Sequence, residues 1–136
     1  MDSNKVIKTG VISGVALLAF SIVVCRNVNT WLQSIIDAGF WRPAGDTMVL
    51  TIISGFLSGF IFATLYAVLY DGIPGFGTMK GVIFGVLMWI IGSLLPNWWS
   101  YILTTNPEVF LIVDSARGLA RYIFLGIVCG IVYKDQ

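Results

Sequence analysis

Three charged residues stand together in an otherwise apolar stretch: Asp114, Arg117 and Arg121. Their spacing of i, i+3 and i+7 puts all three on one face of a helix. Gly118 and Ala120 beside them are small and leave room for neighbouring groups. A carboxylate and two guanidiniums so placed can do three things. They can lock a fold, with Asp114 pairing one arginine and the rest bonding carbonyls or a hydroxyl such as Ser93. They can meet another subunit or an anionic lipid. They can also form the polar step of an anion or proton pathway. Asp114 offsets one arginine and leaves the face at net +1.

The other chemistries lack their parts. The chain has no histidine, which removes the usual general base, the usual haem ligand and the commonest metal ligand. The two cysteines, Cys25 and Cys129, do not form a CxxC pair. They are expected near opposite membrane faces, too far apart for a disulfide, and read as small packing residues. No Ser/His or Cys/His pair, metal-ligand cluster or phosphate loop with its lysine is present. Gly72, Gly75 and Gly77 read as a turn. No catalytic residue, metal or cofactor is expected. A net charge of +1 without a Lys/Arg cluster also excludes binding nucleic acid through counterion release.

The elements that must position the charged face are membrane spans. Hydrophobic residues make up 57% of the 136 and charged residues 11%, more apolar surface than a soluble domain of this length can hide. Runs of about 20 apolar residues cross a bilayer, and four such helices are expected, over 6–25, 48–70, 79–95 and 107–133. The third is expected to stop at Pro96. The fourth opens on Asn106, Pro107 and Glu108, with asparagine at N-cap, proline at N1 and an acid in the first turn. Lys5 and Lys8 before the first run have the look of a signal peptide, but no A-x-A site follows. The run reads as helix 1 of a single integral membrane domain, an all-α four-helix bundle.

Orientation follows the basic residues. Lys5, Lys8, Lys80 and Lys134 fall on one side, Arg26 and Arg42 on the other, so both termini are expected in the cytoplasm. Trp31, Phe40, Trp41, Trp98, Trp99 and Tyr101 form the outer aromatic belt. Trp31, Leu32, Ile35 and Ile36 share one face behind Thr30, the pattern of a short interfacial helix over about 31–38.

The chain also repeats itself. Gly10-Val-Ile-Ser-Gly14-Val15 matches Gly81-Val-Ile-Phe-Gly85-Val86. Downstream, Gly55 aligns with Gly118, Ala63 with Gly126, Ala67 with Gly130 and Tyr70 with Tyr133. This reads as a tandem duplication of a helical hairpin, with the two copies in the same orientation. Every helix carries a G-x-x-x-G: Gly10/Gly14, Gly55/Gly59, Gly81/Gly85 and Gly126/Gly130. Such faces bring helix backbones close in lipid. They can pack the bundle internally, or one of them, foremost Ser54, Gly55, Ser58 and Gly59, can receive a second copy or a partner.

These features lead to the expectation of a non-enzymatic interaction protein in a prokaryotic cell membrane. It would be an accessory or structural subunit of a larger membrane complex, or a self-associating homo-oligomeric bundle, in contact with the lipid bilayer and its anionic lipids. The alternative is a small channel or transporter for an anion or protons that uses the charges of the fourth helix.

Overall fold

The computed structural model describes residues 3–31, 44–104 and 108–133, with side chains over 3–24, 49–104 and 108–133. The described residues form helices joined by turns, without strands. Four of these helices are long and apolar enough to cross a membrane, and the chain is a multi-pass integral membrane protein. Helix α1 is Ser3–Trp31 and α2 is Ala44–Leu69. Helix α3 is Thr78–Leu103, and α4 is Glu108–Val132. Only helices or closed barrels satisfy their own backbone groups in hydrocarbon, and a run of helices is the solution this sequence takes. The expected interfacial helix over 31–38 lies outside the described residues, apart from Trp31, which closes α1. Asn106, Pro107 and Lys134 also lie outside them.

Helix α3 departs from expectation. It does not stop at Pro96 but runs on to Leu103. The reason is a π turn over Ile90–Leu94, where the Leu95 N–H bonds the Ile90 carbonyl five residues back. A proline inside a regular helix lacks its N–H and collides with the carbonyl four residues earlier. Here that earlier residue is Gly92, inside the widened turn, and Pro96 falls at the start of the next α-helical segment, where the missing donor is tolerated. The added turns carry Asn97, Trp98, Trp99 and Tyr101.

The helices pair as two hairpins. In the first, α1 and α2 meet at Gly14 and Gly59: a Cβ on Gly59 would lie 2.5 Å from the Gly14 backbone nitrogen. In the second, a Cβ on Gly81 would fall on the carbonyl oxygen of Gly126, and one on Gly126 would fall on that of Gly81. Glycine at both positions lets the two backbones approach through Cα–H···O contacts. The connection from α2 to α3 turns at Gly75 and Gly77, both with positive φ, a backbone region where side chains are strained. Lys80 closes this end, donating to the Tyr70 carbonyl at 2.9 Å and lying 4.1 Å over the Tyr70 ring. It supplies a positive charge near the C-terminal end of α2, where the helix dipole favours one.

The hairpins join through two seams. Between α1 and α4, Phe20 stacks on Phe124 at 5.4 Å, and Ser13 Oγ lies 3.4 Å from Cys129 Sγ. Aromatic rings fill the other seam: Tyr66 packs edge-on against Phe84 at 5.2 Å and Tyr133 at 5.7 Å, and Phe62 against Phe84 at 4.8 Å. These are favourable edge-to-face separations. Val49, Leu50, Ile53, Leu57, Ile61 and Val68 of α2 remain exposed, as a lipid-facing surface requires.

Candidate functional site

The charged face of α4 is held from α3 by a polar cluster. Arg117 Nη2 donates to Asp114 Oδ1 at 2.5 Å. The extension of α3 past the π turn brings Asn97 alongside, where its Nδ2 donates to Asp114 Oδ2 at 3.1 Å and to Ser115 Oγ at 2.9 Å. From two turns earlier in α3, Trp89 Nε1 donates to the Ser115 carbonyl at 2.9 Å. Ser93 is buried and its hydroxyl occupies the place a Gly118 side chain would take. Gly118 is therefore what admits α3 to this side of α4.

Asp114 and Arg117 keep 30% and 26% of their side-chain surface exposed, so this is a partly solvated ion pair and not a buried one. An i,i+3 pair of this kind contributes only a few tenths of a kcal/mol in water. In lipid its value is the avoidance of two lone charges.

Arg121 is different. Arg121 is half-buried, its Nε is fully buried, and that nitrogen has no hydrogen-bond partner among the described residues. Among the described residues no hydrogen bond or ion pair reaches its side chain. Asn97 adjoins Trp98 and bonds Asp114, so the aromatic belt of Trp98, Trp99 and Tyr101 begins level with Asp114. Seven residues further along the helix, Arg121 lies about 10 Å deeper, and Tyr133 about 18 Å beyond that. Together these match the roughly 30 Å of hydrocarbon, and they put Arg121 inside it.

Of the three charges expected on one face, two thus neutralise each other and one does not. Ser93, one of the groups that could bond an arginine, packs at Gly118, while Asn97 holds Asp114. Asn97, Trp89 and Ser115 were not expected, because a helix ending at Pro96 leaves Asn97 in a loop. The signal was present in Gly92, four residues before Pro96.

The small-residue faces are all occupied within the chain at their glycines. Gly10 and Gly14 face the rings of Phe60 and Phe56. Gly55 faces the Leu18 side chain and Gly59 the Gly14 backbone. Gly85 faces the Tyr122 carbonyl, and Gly130 faces Thr78. In the group thought open to a second copy, Gly55 and Gly59 are buried against α1, Ser54 is exposed and Ser58 is half-buried. Cys129 is a free, buried thiol; the side chain of Cys25 lies outside the described residues. Set against protein-family models, curated proteins and solved structures, the chain matches none.

Proposed function

We propose that this chain is a non-enzymatic interaction protein of the membrane, an accessory or structural subunit of a larger complex or a self-associating bundle. In this reading a polar or acidic group from another chain meets α4 at Arg121. The observation that carries the proposal is the buried, unpartnered Nε of Arg121. A guanidinium in hydrocarbon costs from about 2.5 kcal/mol upward unless it is neutralised or hydrated. Asp114, the nearest acid on the same face, is already held by Arg117 and Asn97. A homo-oligomer could complete the site with a group of its own second copy, and a larger complex with a carboxylate or carbonyl of another subunit.

Purification in mild detergent tests this. The wild type should migrate as an oligomer or with another polypeptide, and Arg121→Gln should release it as a folded, helical monomer. A wild type and an Arg121→Gln variant that are both monomeric and both free of other polypeptides would remove the proposal. The alternative, a channel or transporter for an anion or protons, draws on the same unpaired guanidinium. It requires flux through liposomes that Arg121→Gln abolishes. An anionic lipid retained by the wild type and lost by the variant would identify a headgroup as the completing partner.

The tandem duplication belongs to the same proposal, and equivalent contacts support it. Under the repeat, Ser13 corresponds to Phe84 and Cys129 to Tyr66. Ser13 meets Cys129 in one seam, and Phe84 meets Tyr66 in the other. Gly14 meets Gly59 in the first hairpin, and their counterparts Gly85 and Tyr122 meet in the second. Tyr70 and Tyr133, which also correspond, lie 5.3 Å apart, as near an axis relating the halves.

Both termini are proposed to be cytoplasmic, with the membrane that of a prokaryotic cell. Lys80 at the α2–α3 turn adds to the basic bias on that side. In intact cells, an impermeant thiol reagent should label a cysteine at Ser100→Cys and spare one at Ser3→Cys, in a background without Cys25. The reverse pattern would invert the topology.

A further inference from the structure

The π turn in α3 leaves one backbone acceptor over. A helical carbonyl bonds the N–H four residues on, or five residues on in a π turn. For Ile91 the first of these belongs to Leu95, whose N–H goes to Ile90 instead. The second would come from Pro96, which has no N–H to give. Among the described residues no side chain bonds the Ile91 carbonyl either. Ile91 is 63% exposed, and Gly92 beside it is exposed and has no side chain to cover the peptide. In hydrocarbon no water replaces the missing donor.

This acceptor lies at the depth of Arg121. Asn97 bonds Asp114, and both helices run into the hydrocarbon from that level, α3 backward along the chain and α4 forward. Ile91 is six residues from it, about 9 Å, and Arg121 seven residues, about 10 Å. The Ile91 carbonyl points along α3 toward Asn97, and the Arg121 side chain leans along α4 toward Asp114. Both tips therefore rise toward the belt together. Each copy of the chain thus carries, at one depth, a guanidinium Nε without an acceptor among the described residues and a carbonyl without a helical donor. Copies inserted alike share that depth, and two-fold pairing makes the contact reciprocal. A carbonyl accepts a guanidinium N–H, whereas two guanidiniums facing each other repel.

We infer that a second copy of this chain completes the Arg121 site, the guanidinium of each copy donating to the Ile91 carbonyl of the other. This rests on the reading of Arg121 as an interaction residue and names the group it meets.

Pro96→Ala tests the contact without touching Arg121. The N–H that alanine brings to position 96 takes up the Ile91 carbonyl, or lets the helix return Leu95 N–H to it. Full chains labelled with donor or acceptor fluorophores are mixed in mild detergent, and energy transfer gives the pairing constant. Arg121→Gln and Pro96→Ala should each weaken self-pairing about a hundredfold, two contacts at about tenfold each. Mixed with one another, the two variants regain one contact, Arg121 of the Pro96→Ala chain on Ile91 of the Arg121→Gln chain. They should pair about tenfold more tightly than either does with itself, which also shows that both are folded. A mixture no tighter than its parents overturns the inference. So does Pro96→Ala pairing like the wild type, which leaves the carbonyl to a donor of its own chain such as the Tyr122 hydroxyl beside Gly92. A wild type that travels with another polypeptide but not with a second copy sinks this inference alone, and one that does neither sinks the interaction reading with it. If Pro96→Ala does not fold, a short bis-maleimide between Ile91→Cys in one copy and Ala120→Cys in the other decides. Both positions are exposed, cross-linked pairs are expected, and their absence overturns the inference.

Discussion

Gly126→Ala should separate α3 from α4 and lower the stability of the bundle by about 3 kcal/mol, the upper range for forcing extra atoms into a packed site. The added methyl would fall on the carbonyl oxygen of Gly81, and its next neighbours are that carbonyl's carbon and the Gly85 Cα, both backbone. Backbone in a helix cannot turn aside, so one whole helix must shift and the aromatic seam above it loses its fit. Gly81→Ala should cost as much, because the clash is reciprocal. Gly55→Ala supplies the contrast. Its Cβ would meet the Leu18 Cδ2 at 2.7 Å, the far end of a side chain that can change rotamer, and less than about 1 kcal/mol should be lost. Reversible unfolding in mixed detergent micelles measures all three. Equal losses for Gly126→Ala and Gly55→Ala would show that close backbone approach does not hold the second hairpin.

That contrast also marks what can be read from the chain itself. Four apolar helices follow from run length, because hydrocarbon thickness allows few alternatives. Glycine pairs at i,i+4 point to close helix contacts, but spacing does not say which neighbour fills each one. Gly55 and Gly59 look open to a second copy in a linear sequence, yet α1 takes them because its own Gly14 brings the backbone near enough. The pairing of Asp114 with Arg117 was accessible for the opposite reason: partners one helical turn apart need no knowledge of the fold. Asn97 was hidden by a local rule. Proline normally ends a helix, and here the π turn at Ile90–Leu94 sets that rule aside. Arg121, two turns from Asp114, was legible as the more distant arginine, but whether another helix would supply it a partner depends on packing that spacing does not show.

Asp114→Asn and Arg121→Leu should change the stability of the isolated chain in opposite directions. Removing the Asp114 charge leaves Arg117 without its counter-ion at the edge of the hydrocarbon. Full burial would make such a loss about 3–5 kcal/mol, but the pair is more than a quarter exposed, and water at the belt reduces the expected loss to about 1–2 kcal/mol. Asn97 can still donate to the new amide oxygen, so the link between α3 and α4 persists. Adding Arg117→Gln should recover most of the loss, since no stranded charge then remains. Arg121→Leu removes a cation that nothing among the described residues neutralises and puts an apolar side chain about 10 Å below the belt. Snorkelling and local water lessen its cost in the wild type, so a gain of about 2 kcal/mol is expected rather than the full insertion penalty. The same substitution should abolish assembly. A side chain that weakens the fold it sits in, and whose removal costs only the association, is one retained for a partner. If Arg121→Leu instead destabilises the monodisperse chain, the guanidinium serves the internal packing of the bundle and the interaction reading loses its central residue.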